Sequence, residues 1–183
     1  MLRLVFALLL LAGPALAAGD PADAVNAFYG VYTGQHAQGQ GIPDATVRLR
    51  LQPYLSPRLN KQLADAASAQ ARLTAKVKNA VPPVLEGDIF SSLFEGATAW
   101  KVGACQQGSP ANPKIARCSV ALSYAPPPGA GAKAKPANWT DTVVLTDTPQ
   151  GWKVDDVVYD AGFAFGNTGR LSEMLGMVIA SNP

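Results

Sequence analysis

The chain has 183 residues, 48% of them hydrophobic, with 15 Lys and Arg against 13 Asp and Glu and a formal net charge of +2. A charge so near zero gives no electrostatic reason to bind nucleic acid or an anionic membrane surface, and Lys133 and Lys135 make no extended basic patch. The length suits one domain with a sizeable core, and no internal repeat is visible.

The first residues, MLRLVFALLLLAGPALA, place one cation (Arg3), an apolar run from Leu4 to Leu11, the helix-breaking Gly13-Pro14, and Ala15-Leu16-Ala17 ahead of Ala18. This is the order of a secretory signal, and cleavage is expected after Ala17. The run is too short to span a bilayer and no cysteine follows it, so neither a membrane span nor a lipid attachment is expected. The expectation is an exported chain, periplasmic or secreted. Removing 17 of the 183 residues leaves a single domain of 166, residues 18–183, and losing Arg3 lowers the charge from +2 to +1.

Helical signals fill the first half. Asp20-Pro21 supplies a cap followed by proline at the first helical position, and Val25, Phe28, Tyr29 and Tyr32 recur at i, i+3, i+4, i+7. That amphipathic helix ends in the polar, Gly-rich TGQHAQGQG. A second helix is expected from Asp44 towards Gln52. Ser56-Pro57 repeats the cap-then-proline pattern and starts a third, with Leu59, Leu63, Ala66, Ala67 and Leu73 on one face.

From Val81 the character changes. Pro82-Pro83 breaks the helix, and after LEGDIFSSLFEG the chain alternates like strands in AWKVGACQQ, ARCSVALSYA, WTDTVVLTD and GWKVDDVVYD. PPPGAGAKAKPAN, between the second and third, has the composition of a mobile hairpin tip or crossover. DTPQG between the last two is a tight-turn composition, which predicts an antiparallel hairpin. GRLSEMLGMVIA closes the pattern with Leu171, Met174, Leu175, Val178 and Ile179 at helical spacing. Helices, then about four strands, then a terminal helix argue for α+β, with an antiparallel sheet packed against the N-terminal helices and covered on one face.

The last strand carries Asp155 beside Asp156. Successive strand side chains point to opposite faces, which weakens a reading of the pair as a two-carboxylate acid/base site. Trp152 and Val154 share a face, but the apolar residues resume at Val157 instead of 156. That slip predicts a β-bulge at the two aspartates, with both expected to be solvated strand residues; the alternative is that one of them faces a cavity with a functional purpose.

Cys105 and Cys118 are the only cysteines. Two in an exported chain read as one disulfide, stapling neighbouring strands across the SPANP turn. A metal site would need more ligands than these and the lone His36 supply, and a redox pair would want closer spacing.

A PADAVNAFYG first helix, YLSPRLNKQL, GDIF at Gly87–Phe90 and the final GWKVDDVVYD together resemble a family of exported bacterial proteins and lipoproteins with no established activity. That family is similar to the nuclear-transport-factor-2-like superfamily, in which a cone of curved antiparallel sheet wraps around helices. The resemblance covers most of residues 20–180 and implies this fold and an envelope location. It implies no reaction, because the cone hosts isomerases, dehydratases, binding domains and scaffold subunits alike.

Within such a cone Tyr29 and Tyr32 would face the concave sheet, and Asp88 and Phe90 could stand at its mouth; these four are the candidate ligand-binding residues. The structural alternatives are tyrosine hydroxyls satisfying core polar groups, Asp88 as a turn or cap residue for SSLF, and Phe90 as core packing. His36 sits in a Gly/Gln-rich loop with no acid beside it in sequence to orient it as a base. Trp139, near the long loop, is a candidate surface contact. No GxSxG, HExxH, P-loop or dinucleotide fingerprint appears, so no catalytic residue, metal or cofactor is assigned. The expected function is a non-enzymatic exported domain that binds an envelope protein or a small apolar ligand in the cone. The alternative is an isomerase or dehydratase, which requires a buried carboxylate or histidine opposite a tyrosine.

Overall fold

The computed structural model describes residues 19–35, 41–77, 84–130 and 134–181. The expected signal segment, His36, Pro82-Pro83 and Lys133 lie outside the described residues.

Each of the three N-terminal helices starts where a capping side chain stands. Helix α1 spans Pro21–Gln35, with Asp20 accepting from the Ala22 N–H at 2.9 Å, and its Val25, Phe28, Tyr29 and Tyr32 are all buried. Helix α2 spans Ala45–Leu51, and its N-cap Asp44 accepts from Val47 N–H. It stops one residue short of Gln52 because Pro53 has no N–H to donate, and the chain turns through a 3₁₀ segment at Gln52–Tyr54. Helix α3 spans Pro57–Val77, and the Ser56 hydroxyl accepts from Leu59 N–H at 3.0 Å. Its buried residues are Leu59, Leu63, Ala66 and Ala69, whereas Ala67 and Leu73 are only half-buried. Ala67 and Ala69 flank the same stripe on opposite sides, so packing and not periodicity decides which one is covered.

The sheet has five antiparallel strands in sequential order: β1 (Ala99–Gln107), β2 (Ile115–Tyr124), β3 (Ala137–Thr148), β4 (Gly151–Tyr159) and β5 (Gly169–Arg170). The fifth pairs only two residues with Tyr159 and Val158, too short to leave a periodic signal in the sequence. Helix α4 (Leu171–Ser181) follows at once and buries Leu171, Leu175 and Val178 beside α3. In β2, Ala116, Cys118, Val120 and Leu122 are buried while Arg117, Ser119 and Ala121 are exposed. One face of the sheet therefore packs into the helical core and the other meets water.

The connections follow their composition. The chain between β2 and β3 joins neighbouring antiparallel strands, so it is a hairpin connection and not a crossover. Between β3 and β4, Pro149 and Gln150 make the turn and Gly151 follows at φ +84°, a conformation open to glycine because it has no Cβ. Cys105 stands directly opposite Cys118 and the two form a disulfide. It closes a 14-residue loop, so replacing both cysteines with alanine is expected to cost about 3 kcal/mol. The check is a lower urea midpoint, with a slope that rises because the unlinked unfolded chain exposes more surface.

The slip in the last strand is a bulge. Pairing passes from Val144↔Asp156 to Leu145↔Val154, which leaves Asp155 as the extra residue, and the buried positions move from Trp152 and Val154 to Val157 and Tyr159. A second bulge interrupts β1 between Val102 and Cys105.

The expectation that both aspartates are solvated is overturned. Asp156 is only 3% exposed and the Asp155 side chain 18%. The bulge turns each towards the start of a helix. Asp155 accepts from the Ser56 hydroxyl at 2.5 Å and from the Arg58 guanidinium at 2.7 to 3.1 Å, holding the start of α3. Asp156 accepts from Ser172 N–H at 2.9 Å and its hydroxyl at 2.6 Å, holding the start of α4, with Arg170 at 3.6 Å. A carboxylate at a helix N-terminus meets both free N–H groups and the positive end of the dipole. Asp156→Ala is expected to cost about 2 kcal/mol and to speed amide exchange first in the opening turn of α4.

Candidate functional site

Residues 84–98, which carry the GDIF motif, form no helix or long strand, so side chains from distant elements supply what a ladder would. The Asp88 N–H donates to the Phe94 carbonyl at 2.8 Å, and the Asp88 carboxylate accepts from Phe90 N–H at 2.8 Å. That is an Asx turn. No helix follows at SSLF, so Asp88 is a turn residue and not a helix cap.

The structure brings all four candidate ligand-binding residues together. The Tyr32 hydroxyl donates to Asp88 at 2.7 Å and accepts from Ala97 N–H at 3.1 Å. The Tyr29 hydroxyl reaches the Phe90 carbonyl at a long 3.5 Å, and the Tyr159 hydroxyl, from β4, donates to the Ile89 carbonyl at 2.7 Å. Phe90 packs edge-on against Phe28 and Tyr32 at ring separations of 5.4 and 5.8 Å, while Trp100 stacks on Tyr29 at 6.2 Å. Tyr29, Tyr32, Asp88 and Phe90 are all buried, and their polar atoms fasten the irregular segment to α1.

Burial sets the electrostatics. It raises the Tyr29 and Tyr32 hydroxyls well above the usual tyrosine value, helped by the nearby charges of Asp141 and Asp88 on Tyr29 and of Asp88 on Tyr32. Burial raises Tyr159 too, with Asp88 the largest contributing charge. All three phenols are therefore neutral donors at physiological pH.

A residue that the sequence reading passed over forms the second buried cluster. Asp141 is fully buried on β3. It accepts from Ser92 N–H at 2.7 Å and from the Ser92 hydroxyl, from Trp139 Nε1 at 2.9 Å, and from Asp160 N–H at 3.2 Å. Burial pushes its carboxyl upward, and the hydrogen bonds from Ser92, Trp139 and Asp160 offset only part of that rise. The signal was available: Asp141 lies in phase with Trp139, Val143 and Leu145 on a strand whose alternate residues face the core. Trp139 itself is 8% exposed and edge-on to Phe163, so the ring is largely buried instead of projecting from the surface.

An open depression of about 460 Å³ lies across β1, β2 and β3, lined by residues 99–101, 121–123 and 138–140, so that Trp100 borders it from the first cluster and Trp139 from the second. Lys101 is its one charged side chain, and none of Tyr29, Tyr32, Asp88, Phe90, Asp155 or Asp156 lines it. Among the described residues no group of three His, Cys, Asp or Glu side chains could hold a metal ion, and no helix is long and apolar enough to cross a membrane. No protein-family model matches the chain, and no curated protein matches it in sequence.

Proposed function

We propose that the chain is an exported, non-catalytic binding domain of the bacterial envelope, built as a nuclear-transport-factor-2-like cone and taking an envelope protein or a small apolar ligand. The observation that carries this reading is the use made of the chemistry-bearing side chains. Asp88, Asp141 and Asp156 each accept from backbone N–H groups and hydroxyls that fix turns, loops and helix ends. None of the three lines the open depression across β1, β2 and β3. The bulges in β1 and β4 add twist to a sequential antiparallel sheet with helices packed on it, which supports the cone. The disulfide suits an oxidising compartment and so supports export.

A second reading, an isomerase or dehydratase, is favoured by one observation: the Tyr32 hydroxyl and the Asp88 carboxylate meet at 2.7 Å. The two readings separate in one experiment on residues 18–183 with the disulfide intact. The chain is exposed to a solubilised envelope fraction and to a set of medium- and long-chain fatty acids, and bound material is analysed for chemical change. Saturable binding without conversion is the expected result. Conversion that is abolished by Asp88→Asn would establish the second reading, and an absence of any binding would overturn the first.

A further inference from the structure

Two loops meet at one end of the sheet, residues 84–98 and the β4–β5 connection 160–168. Asn167 knots them together. Its Nδ2 donates to the carbonyls of Asp88 at 2.6 Å and Ser91 at 2.7 Å, and its N–H to the Ser92 carbonyl at 2.9 Å. Gly166 lies so close that a Cβ there would stand 2.4 Å from the Ser92 carbonyl oxygen. Asp141 seals the junction by accepting the N–H groups of Ser92 and Asp160, one from each loop.

The junction presents phenylalanine to water. Phe165, adjacent to Gly166, is 91% exposed, and Phe94, two residues beyond Ser92, is 43% exposed. Their neighbour Phe163 instead tucks against Trp139. An aromatic ring held in water on a loop that is already fixed loses little further freedom when a partner covers it, and such rings are the usual anchors of protein interfaces.

The charge around the rings selects the partner. The two loops carry the exposed carboxylates Glu86 and Asp160 and no lysine or arginine of their own; Arg170, two residues beyond them, faces Asp156 and Glu173. Acidic surroundings are repelled by anionic lipid headgroups and are complementary to a basic protein rim. We infer that Phe165, with Phe94 beside the same junction, is the docking anchor for a protein partner that offers an apolar pocket rimmed by basic side chains. This rests on the reading of the chain as a binding domain and names the surface that does the binding.

The test places the photo-crosslinking residue benzoylphenylalanine at position 165 of the full chain in the cells that make it, identifies the adduct, and titrates that purified protein against the chain. Phe165→Ala is expected to weaken binding roughly thirtyfold at an unchanged urea midpoint. Asn167→Ala, which keeps the ring but unties the loops, should weaken it by a smaller factor. Affinity should also fall with rising salt and with Glu86→Lys. If Phe165→Ala binds as tightly as the wild type, the surface is wrong while the binding-domain reading stands. If the chain carrying benzoylphenylalanine yields no adduct and the wild-type chain binds no protein, both fall. Binding to phosphatidylglycerol vesicles or self-association in sedimentation, either one dependent on Phe165, would overturn the inference in favour of a lipid surface or a second copy.

Discussion

Replacing Asp141 with alanine is expected to lower folding stability by about 3–5 kcal/mol, a large share of what a domain of this size possesses. The variant strands the Ser92 N–H and hydroxyl, Trp139 Nε1 and the Asp160 N–H, all of which converge on one carboxylate. Each buried donor left without an acceptor costs about 1–3 kcal/mol, and loop relaxation lets some of them find water. Asp141→Asn is informative because it keeps the shape. Both carboxylate oxygens accept, so the amide nitrogen faces donors whichever way it turns, and the cost stays near 2 kcal/mol or above. Urea denaturation followed by tryptophan fluorescence measures both variants. An Asp141→Asn variant as stable as the wild type would show that the carboxylate does not hold the two loops.

The second large effect is alkaline unfolding. Tyr29, Tyr32 and Tyr159 have folded-state values raised above the unfolded value of about 10, so their contribution is complete below pH 10 and is lost as pH rises above it. In that range the unfolded chain releases three protons that the folded chain retains. Stability should then fall by about 1.4 kcal/mol per pH unit for each tyrosine, or about 4 kcal/mol per pH unit for the three together. Phenolate absorbance should show these three tyrosines titrating only together with loss of structure. A smooth titration of all five tyrosines of the chain with the fold intact would contradict their burial.

Features encoded within a few residues were legible. The caps Asp20, Asp44 and Ser56 stand where α1, α2 and α3 begin, because a side-chain oxygen within reach of the second or third N–H is a local property. The bulge was legible because an inserted residue shifts every later side chain to the other face, and the valines record that shift. The fate of the aspartates was not. Their partners Ser56 and Arg58 lie almost a hundred residues earlier, and Ser172 belongs to a helix whose position depends on the finished sheet.

The same holds for the candidate site. Tyr29, Tyr32, Asp88 and Phe90 could be listed from composition and motif, yet their convergence depends on α1 packing against a segment some sixty residues away. Asn167 and Ser92 are ordinary loop residues in the sequence. They matter because the junction leaves carbonyl and amide groups that only side chains can satisfy.

The buried carboxylates hold this fold, and the proposal assigns recognition to the exposed aromatic junction. The most direct test compares Asp88→Asn with Phe165→Ala, measuring the urea midpoint and the affinity for the crosslinked partner in each. Asp88→Asn should lose stability and keep its affinity once folded, while Phe165→Ala should keep stability and lose affinity. The opposite pattern, a stable Asp88→Asn that no longer binds beside a Phe165→Ala that binds normally, would contradict the account and move the functional site to the Tyr32–Asp88 contact.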